Sequence, residues 1–320
     1  MQHPFVIIPA LAAVAIAYRQ GNLIADQVLP RVPVTTENFS YLKHAKGDAF
    51  ATPETRVGRK SAPNQIDWGS ELVPASVEDH ALDAPIPNSD ILAWQTAMAA
   101  AAAGGAVATP DPRVRATKLV TQSVQNRREK RAADLVFNPN SYANGNKVVA
   151  GATEQWDNYE QSDPLPMLME YFDSMVMRPN IGVLGRNVAT KLRMHPKVCK
   201  AVFGNNTDAG TVSLRALADQ LELEDIYVGD GWINTAKPGQ PPQLARAWGK
   251  HAAFLVRNQE ADTTSGVTFG YTAQWGDKVA GSIADPDIGM RGGERIRAGE
   301  SVKELVTAGD LGFFVQQAVA

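Results

Sequence analysis

Hydrophobic and polar positions alternate in several distinct ways along the chain. Residues 5–18 (FVIIPALAAVAIAY) are almost wholly apolar, with Pro9 inside them, and predict a short helix over 9–18. The run is too short to cross a bilayer as a helix, which takes about 20 apolar residues. No Lys or Arg precedes it, so the charged flank of a secretory signal is missing. A buried or partner-docked helix is the expectation. Residues 22–34 hold Pro30 and Pro33 and read as extended. Residues 35–90 show little helical period. Short alternating runs at 39–43 and 65–68 lie between turn residues such as Gly47, Pro53, Gly58, Pro63 and Gly69. Two strand arms of ~15 residues would reach ~50 Å. A two-stranded ribbon alone is marginal in water, so this one is expected to fold back on its domain or lie on a neighbour.

Residues 97–108, rich in alanine with Gly104 and Gly105, read as a helix end or flexible linker. The strongest helix follows over 111–137. Asp111 stands as N-cap, Pro112 occupies the first turn and no later Gly or Pro interrupts. It would be about 40 Å long. Its apolar stripe is thin: Val120, Val124, Leu135 and Val136, with Leu119 and Ala132 beside them. The other faces are basic and predict a helix that lies across a surface and keeps much of itself wet. Residues 138–162 read as loop. A second mixed unit then offers helices over 163–177, 187–203 (kinked or split at Pro196) and 213–223. Strands are predicted over 180–184, from 225 to 228, within 252–256, and over 267–275, 294–305 and 313–319. This order of elements is α+β rather than regular βαβ alternation.

Composition narrows the function classes. The 320 residues suggest two domains or one domain with large extensions, and 44% hydrophobic residues suffice for a sizeable core. With 31 basic against 34 acidic residues the chain is not generally basic. Cys199 is the sole cysteine, so neither an internal disulfide nor a cysteine-rich zinc site is expected. The 26 glycines and 20 prolines point to many turns. Charge is lopsided. Lys43, Lys46, Arg56, Arg59 and Lys60 lie in one short stretch, whereas residues 61–110 carry six acids and no Lys or Arg. Ordinary solvation explains most such runs; the sharper reading is docking between copies, with Lys43, Lys46, Arg59 and Lys60 set against acids such as Asp67 and Glu71.

No phosphate loop, dinucleotide fingerprint, nucleophile elbow or metalloprotease motif is present. The five histidines are scattered, and Gly229-Asp230-Gly231 reads as a turn. Asp285-Pro286-Asp287 reads as a solvated loop. His195 and Cys199 stand four apart, but Pro196 between them disturbs the geometry a nucleophile pair needs, leaving Cys199 as a small buried hydrophobe. No catalytic residue, metal or cofactor is expected.

Taken in order, several segments resemble the major capsid proteins of tailed bacteriophages, the Hong Kong 97-type fold. They are Ile16-Ala17-Tyr18-Arg19; Leu23-Ile24-Ala25-Asp26-Gln27-Val28-Leu29-Pro30-Arg31-Val32-Pro33-Val34; the basic run Arg127-Arg128-Glu129-Lys130-Arg131-Ala132-Ala133; Asp225-Ile226-Tyr227-Val228-Gly229; Asn234-Thr235-Ala236-Lys237; Trp248-Gly249-Lys250; Phe269-Gly270-Tyr271-Thr272; and Glu294-Arg295-Ile296-Arg297-Ala298. The resemblance implies an N-arm (1–34), an extended E-loop (35–90), a peripheral domain with a long spine helix (91–147 and 266–308) and an axial domain (148–265 and 309–320). It implies a homo-oligomer of hexamers and pentamers, an icosahedral virion shell around double-stranded DNA, assembled in the bacterial cytoplasm without membrane contact. Decoration, scaffolding and portal proteins would be partners. Because residue 1 already begins the arm-like pattern, scaffolding is expected to be separate or absent. Arg127, Arg128 and Arg131 are candidates for non-specific contact with DNA on the inner face, ordinary salt bridges being the alternative. Lys43, Lys46 and Lys60 do not match the Lys–Asn–carboxylate set of the founding member, so no covalent cross-link is expected. A nanocompartment shell of the encapsulin kind, enclosing protein cargo, is the alternative function.

Overall fold

The structure, a computed structural model, describes residues 6–17, 23–43, 52, 54–59, 61–65, 71–104, 110–204, 209–237 and 239–320. The chain begins with strand β1 (Val6–Ile7) and helix α1 (Pro9–Ala17). One helical turn, α2 (Ala25–Val28), leads into β2 (Arg31–Val34). Strands β3 (Asn38–Lys43) and β4 (Glu71–Ser76) pair as an antiparallel ribbon. Strand β5 (Glu78–Pro87) runs into helix α3 (Asn88–Ala102), and the long helix α4 (Pro112–Val136) follows. Next come β6 (Lys147–Val149), α5 (Pro164–Ser174), β7 (Ile181–Gly185), α6 (Arg186–Arg193), α7 (Pro196–Phe203), α8 (Leu214–Gln220) and β8 (Asp225–Gly229). A small ribbon of β9 (Trp232–Asn234) and β10 (Leu244–Arg246) precedes β11 (Ala252–Leu255). The chain ends through the long pair β12 (Gly270–Asp285) and β13 (Gly293–Val306), then β14 (Gly312–Gln316).

Two five-stranded sheets organise these elements. The first has the order β1-β12-β13-β5, with β2 parallel to β12; the second has the order β6-β14-β11-β7-β8. Helices α1 and α4 cover one face of the first sheet through Leu11, Ala15, Ala116, Val120, Ala280, Ile296 and Ala298. The second sheet sits between two cores, one built on Trp156, Leu168, Phe172 and Phe254, the other on Trp248, Phe269 and Phe314. Strand β7 lies centrally between β8 and β11 with a core on each face, Leu184 in one and Ile181 and Val183 in the other, so it reads as a continuous apolar run.

Local chemistry sets the helix ends. Asp111 accepts the Arg113 amide at 2.8 Å as N-cap of α4. Pro196 divides α6 from α7 as expected, and His195 caps α7 by accepting the Lys197 amide at 3.3 Å. The other His195 ring nitrogen pairs with Ser162 Oγ at 3.0 Å, and Cys199 is fully buried behind it. The two side chains therefore form no nucleophile–base pair.

The structure differs from the pattern reading at several places. Residues 78–87, without helical period, form a ten-residue strand on β13; it is the sheet's edge strand, where Pro85 and Pro87 are tolerated. The alanine-rich region is helical through Ala102, and residues 105–109 lie outside the described residues. The extended reading of 22–34 is interrupted by α2. The loop 138–162 contains β6, and α5 stops at Ser174 rather than 177. Strand β12 runs ten residues past Trp275, through an irregularity between Trp275 and Val279 where Gly276 has φ +67°. On α4, Leu119 is exposed while Arg128 and Glu129 are buried, the reverse of their polarity.

Candidate assembly interface

A buried polar junction fastens residues 23–31 to the rest of the fold. The Glu129 carboxylate, on the inner face of α4, accepts the Ile24 amide at 3.0 Å, the Ala25 amide at 2.9 Å and the Trp248 indole N–H at 2.5 Å. It thus caps α2 from more than a hundred residues away, because Ile24 at the N-cap has no capping side chain of its own. Burial pushes the Glu129 carboxyl above its ordinary range, against the pull of these three N–H groups and of Arg128. Beside it, Asp26 pairs with Arg128 and, at 2.7 Å, with Arg31; Arg31 also reaches Glu300 at 2.8 Å. Burial alone would raise the Asp26 carboxyl, but Arg128 and Arg31 together hold it below its usual value. Arg131 pairs with Glu304 at 2.9 Å, and Arg257 donates to the Gln27 carbonyl at 2.7 Å. Asp26 itself is exposed, but Arg128, Glu300 and Glu304 are buried, and a buried charge that loses its partner is costly. The α2 turn is therefore a fixed anchor for the segment that begins the chain.

The second feature is the β3–β4 ribbon. Its base packs Phe39, Tyr41 and Ala75 against Val32, Val34, Val77, Tyr271, Ala273 and Leu305. The Leu42 amide donates to Thr263 O at 3.1 Å. Lys43 stands directly opposite Glu71 in the ladder, and both are exposed, as is Leu72 beside them. Arg59 is exposed too, whereas Lys46, Lys60 and Asp67 lie outside the described residues. Among the described residues of the proposed docking set, the structure brings Lys43 and Glu71 together.

No family model matches this chain. It is, however, 52% identical over 317 residues to the major capsid protein of Pseudomonas phage JBD67, an alignment covering 99% of this chain and 98% of that one. The chain belongs to the phage major capsid proteins. The major capsid protein of Burkholderia phage BcepMu is 25% identical over 320 residues, covering 97% of this chain and 96% of that protein. Among solved structures, a phage-related protein from Bordetella bronchiseptica RB50 superposes with a TM-score of 0.73 at 22% identity, over 99% of this chain and 98% of that one. The capsid of cyanophage P-SCSP1u gives 0.53 at 9% identity, over 94% and 89%. A virus-like particle from Pyrococcus furiosus also gives 0.53, at 10% identity over 96% and 97%. The fold is thus the α+β Hong Kong 97 type. The fold alone does not separate one kind of shell from another; the sequence relatives favour the phage capsid over the cargo compartment. This capsid protein has a structural role, self-associates into a shell and resides in the virion.

Of the three arginines singled out in the sequence, the capsid fold leaves only Arg127 exposed. Arg128 is 3% exposed, with its guanidinium on Asp26 and Thr272, and Arg131 is turned onto Glu304. Glu129 and Trp248 stand inside two of the segments that carry the resemblance but were given no role there, although a single acid inside a basic run was a visible signal. Among the described residues no cluster of His, Cys, Asp or Glu is arranged to hold a metal, and no helix is long and apolar enough to cross a membrane.

Proposed function

We propose that this protein assembles as hexamers and pentamers into an icosahedral shell around double-stranded DNA in the bacterial cytoplasm, without catalysis or cofactor. Full-length identity with a phage major capsid protein carries this reading. The geometry supports it through the β3–β4 ribbon, whose base is packed while its end, at Lys43, Glu71 and Leu72, is exposed. Such an end is suited to a neighbouring copy. Residues 1–34 then serve as N-arm and 35–90 as E-loop; 91–147 with 266–308 form the peripheral domain, and 148–265 with 309–320 the axial domain. The pairing of β5 with β13 supports narrowing that E-loop to the residues before 78, with 78–87 joining the peripheral sheet. Decoration, scaffolding and portal proteins are the partners such a shell takes.

Reversal of Lys43, Lys46, Arg59 and Lys60 to Glu tests the docking role of the ribbon. Assembly followed by sedimentation across a salt series is expected to collapse at low salt and recover partly when charges are screened. Unchanged assembly at all salt concentrations would remove these residues from the interface.

A further inference from the structure

The two faces of the first sheet differ in how their charges are matched. On the face away from α4, the cations of β13 each meet a carboxylate. Arg295 pairs with Asp285 at 2.7 Å and Arg297 with Asp83 at 2.7 Å, while Lys303 reaches Glu78 across the sheet edge. On the other face lies the layer of α1, α3 and α4. Helix α1 has no charged side chain, and α3 has only Asp90. Helix α4 carries seven cations against Glu129, Asp134 and its N-cap Asp111. Four of the seven are spoken for: Arg113 by Glu294, Arg128 by Asp26, Arg131 by Glu304 and Lys130 by Asp134. Glu129 is buried and faces inward. That leaves Arg115, Lys118 and Arg127, all exposed and without an ion pair among the described residues. The side chains between them along the helix surface, Gln122, Ser123 and Asn126, are neutral. In a chain of net charge −3, an unmatched positive face backed by a matched one is a polarity of the subunit.

We infer that the α4 layer faces the shell interior and that Arg115, Lys118 and Arg127 are its contacts to the phosphates of enclosed double-stranded DNA. This rests on the reading of the protein as a DNA-containing shell, and it replaces Arg128 and Arg131, whose guanidinium groups are held inside the fold. Contact of this kind is sequence-independent and salt-dependent, since each neutralised phosphate releases counterions. Three cations per subunit, repeated around a shell, hold DNA weakly at each point and evenly over the surface. The β13 cations on the opposite side are already paired with carboxylates and do not compete for it.

The test uses full-length unassembled protein and a short mixed-sequence DNA duplex, with binding followed by fluorescence anisotropy across a salt series. The variant Arg115→Gln/Lys118→Gln/Arg127→Gln is compared with Lys200→Gln/Lys250→Gln/Arg291→Gln, which removes three exposed cations elsewhere. Electron microscopy of each assembled variant runs in parallel. The expected result is a shallower dependence of log K on log salt for the α4 variant, by about 2–3 for three phosphate contacts, with shells still formed and the control variant unchanged. Equal losses in both variants would reduce the effect to net charge and overturn the inference. An α4 variant that binds as wild type would overturn it too. Shells lost with DNA affinity kept would assign the face to a protein partner instead. Failure of the wild-type chain to form shells at all would strike the underlying function, a separate and distinguishable outcome.

Discussion

The indole N–H of Trp248 donates to the carboxylate of Glu129 at 2.5 Å, joining the loop before β11 to the middle of α4. The same carboxylate holds the amides of Ile24 and Ala25, so one side chain secures three parts of the chain. Glu129→Ala leaves three buried donors without an acceptor and is expected to cost on the order of 3 kcal/mol. Glu129→Gln keeps one acceptor oxygen and should cost less. Urea unfolding of the unassembled chain measures both, and limited proteolysis should cut the alanine variant first near residues 23–31. An alanine variant as stable and as resistant as wild type would remove the clamp from the account.

Acid should loosen the first sheet. The Arg297 hydrogen bonds hold the Asp83 carboxyl below its ordinary value, and the Arg113 hydrogen bonds do the same for Glu294, burial opposing in both cases. A depressed folded pKa contributes stability that is present above the unfolded value, near pH 4, and is lost as pH falls through the folded one. Glu129 acts with the opposite sign. Its folded pKa is raised, so its linkage favours folding as pH falls and is lost as pH rises above the ordinary carboxylate range. The double variant Asp83→Asn/Glu294→Gln should therefore lose less stability than wild type between pH 5 and about pH 2, as read by denaturant titration at each pH.

Gly229 closes β8 directly beneath Trp248. A Cβ at this position would overlap the Trp248 ring, and the nearest atoms belong to a fully buried side chain that has no room to move. Gly229→Ala should destabilise the protein by roughly 3 kcal/mol and lower its soluble yield. Normal yield and an unchanged melting temperature would contradict that packing.

Cys199 is sealed in the core of the second sheet. A thiol reagent should leave it unmodified in the native protein and label it once per chain in denaturant. Rapid labelling of native protein would show that this core opens.

No covalent bond between subunits is expected. Mature shells boiled in denaturant should run as a single monomer band. A ladder of high-mass species would refute this.

Much of the secondary structure was legible where one residue type dominates a local choice. Asp111-Pro112 announced α4, Pro196 announced the division of α6 from α7, and the apolar run of β7 announced a short buried strand. What stayed hidden depends on partners distant in sequence. Strand β5 has prolines and weak alternation, and it is a strand only because β13 pairs with it. Turn α2 exists in a region with Pro30 and Pro33 because Glu129 caps it. Arg128 looked like a surface cation and is buried because Asp26 and Glu304 meet it. The sequence left open whether the ribbon folds back on its domain or lies on a neighbour; its base packs on its own domain, and which of its charges face one another was not readable. Among its described charges, Lys43 and Glu71 are brought opposite by the ladder.

Electron microscopy of the expressed protein, together with its neighbouring gene products, tests the central claim most directly. The account predicts round particles of uniform size whose surface resolves into hexamers and pentamers, with density for DNA inside the filled ones. Discrete monomers, or shells holding only protein cargo, would contradict it.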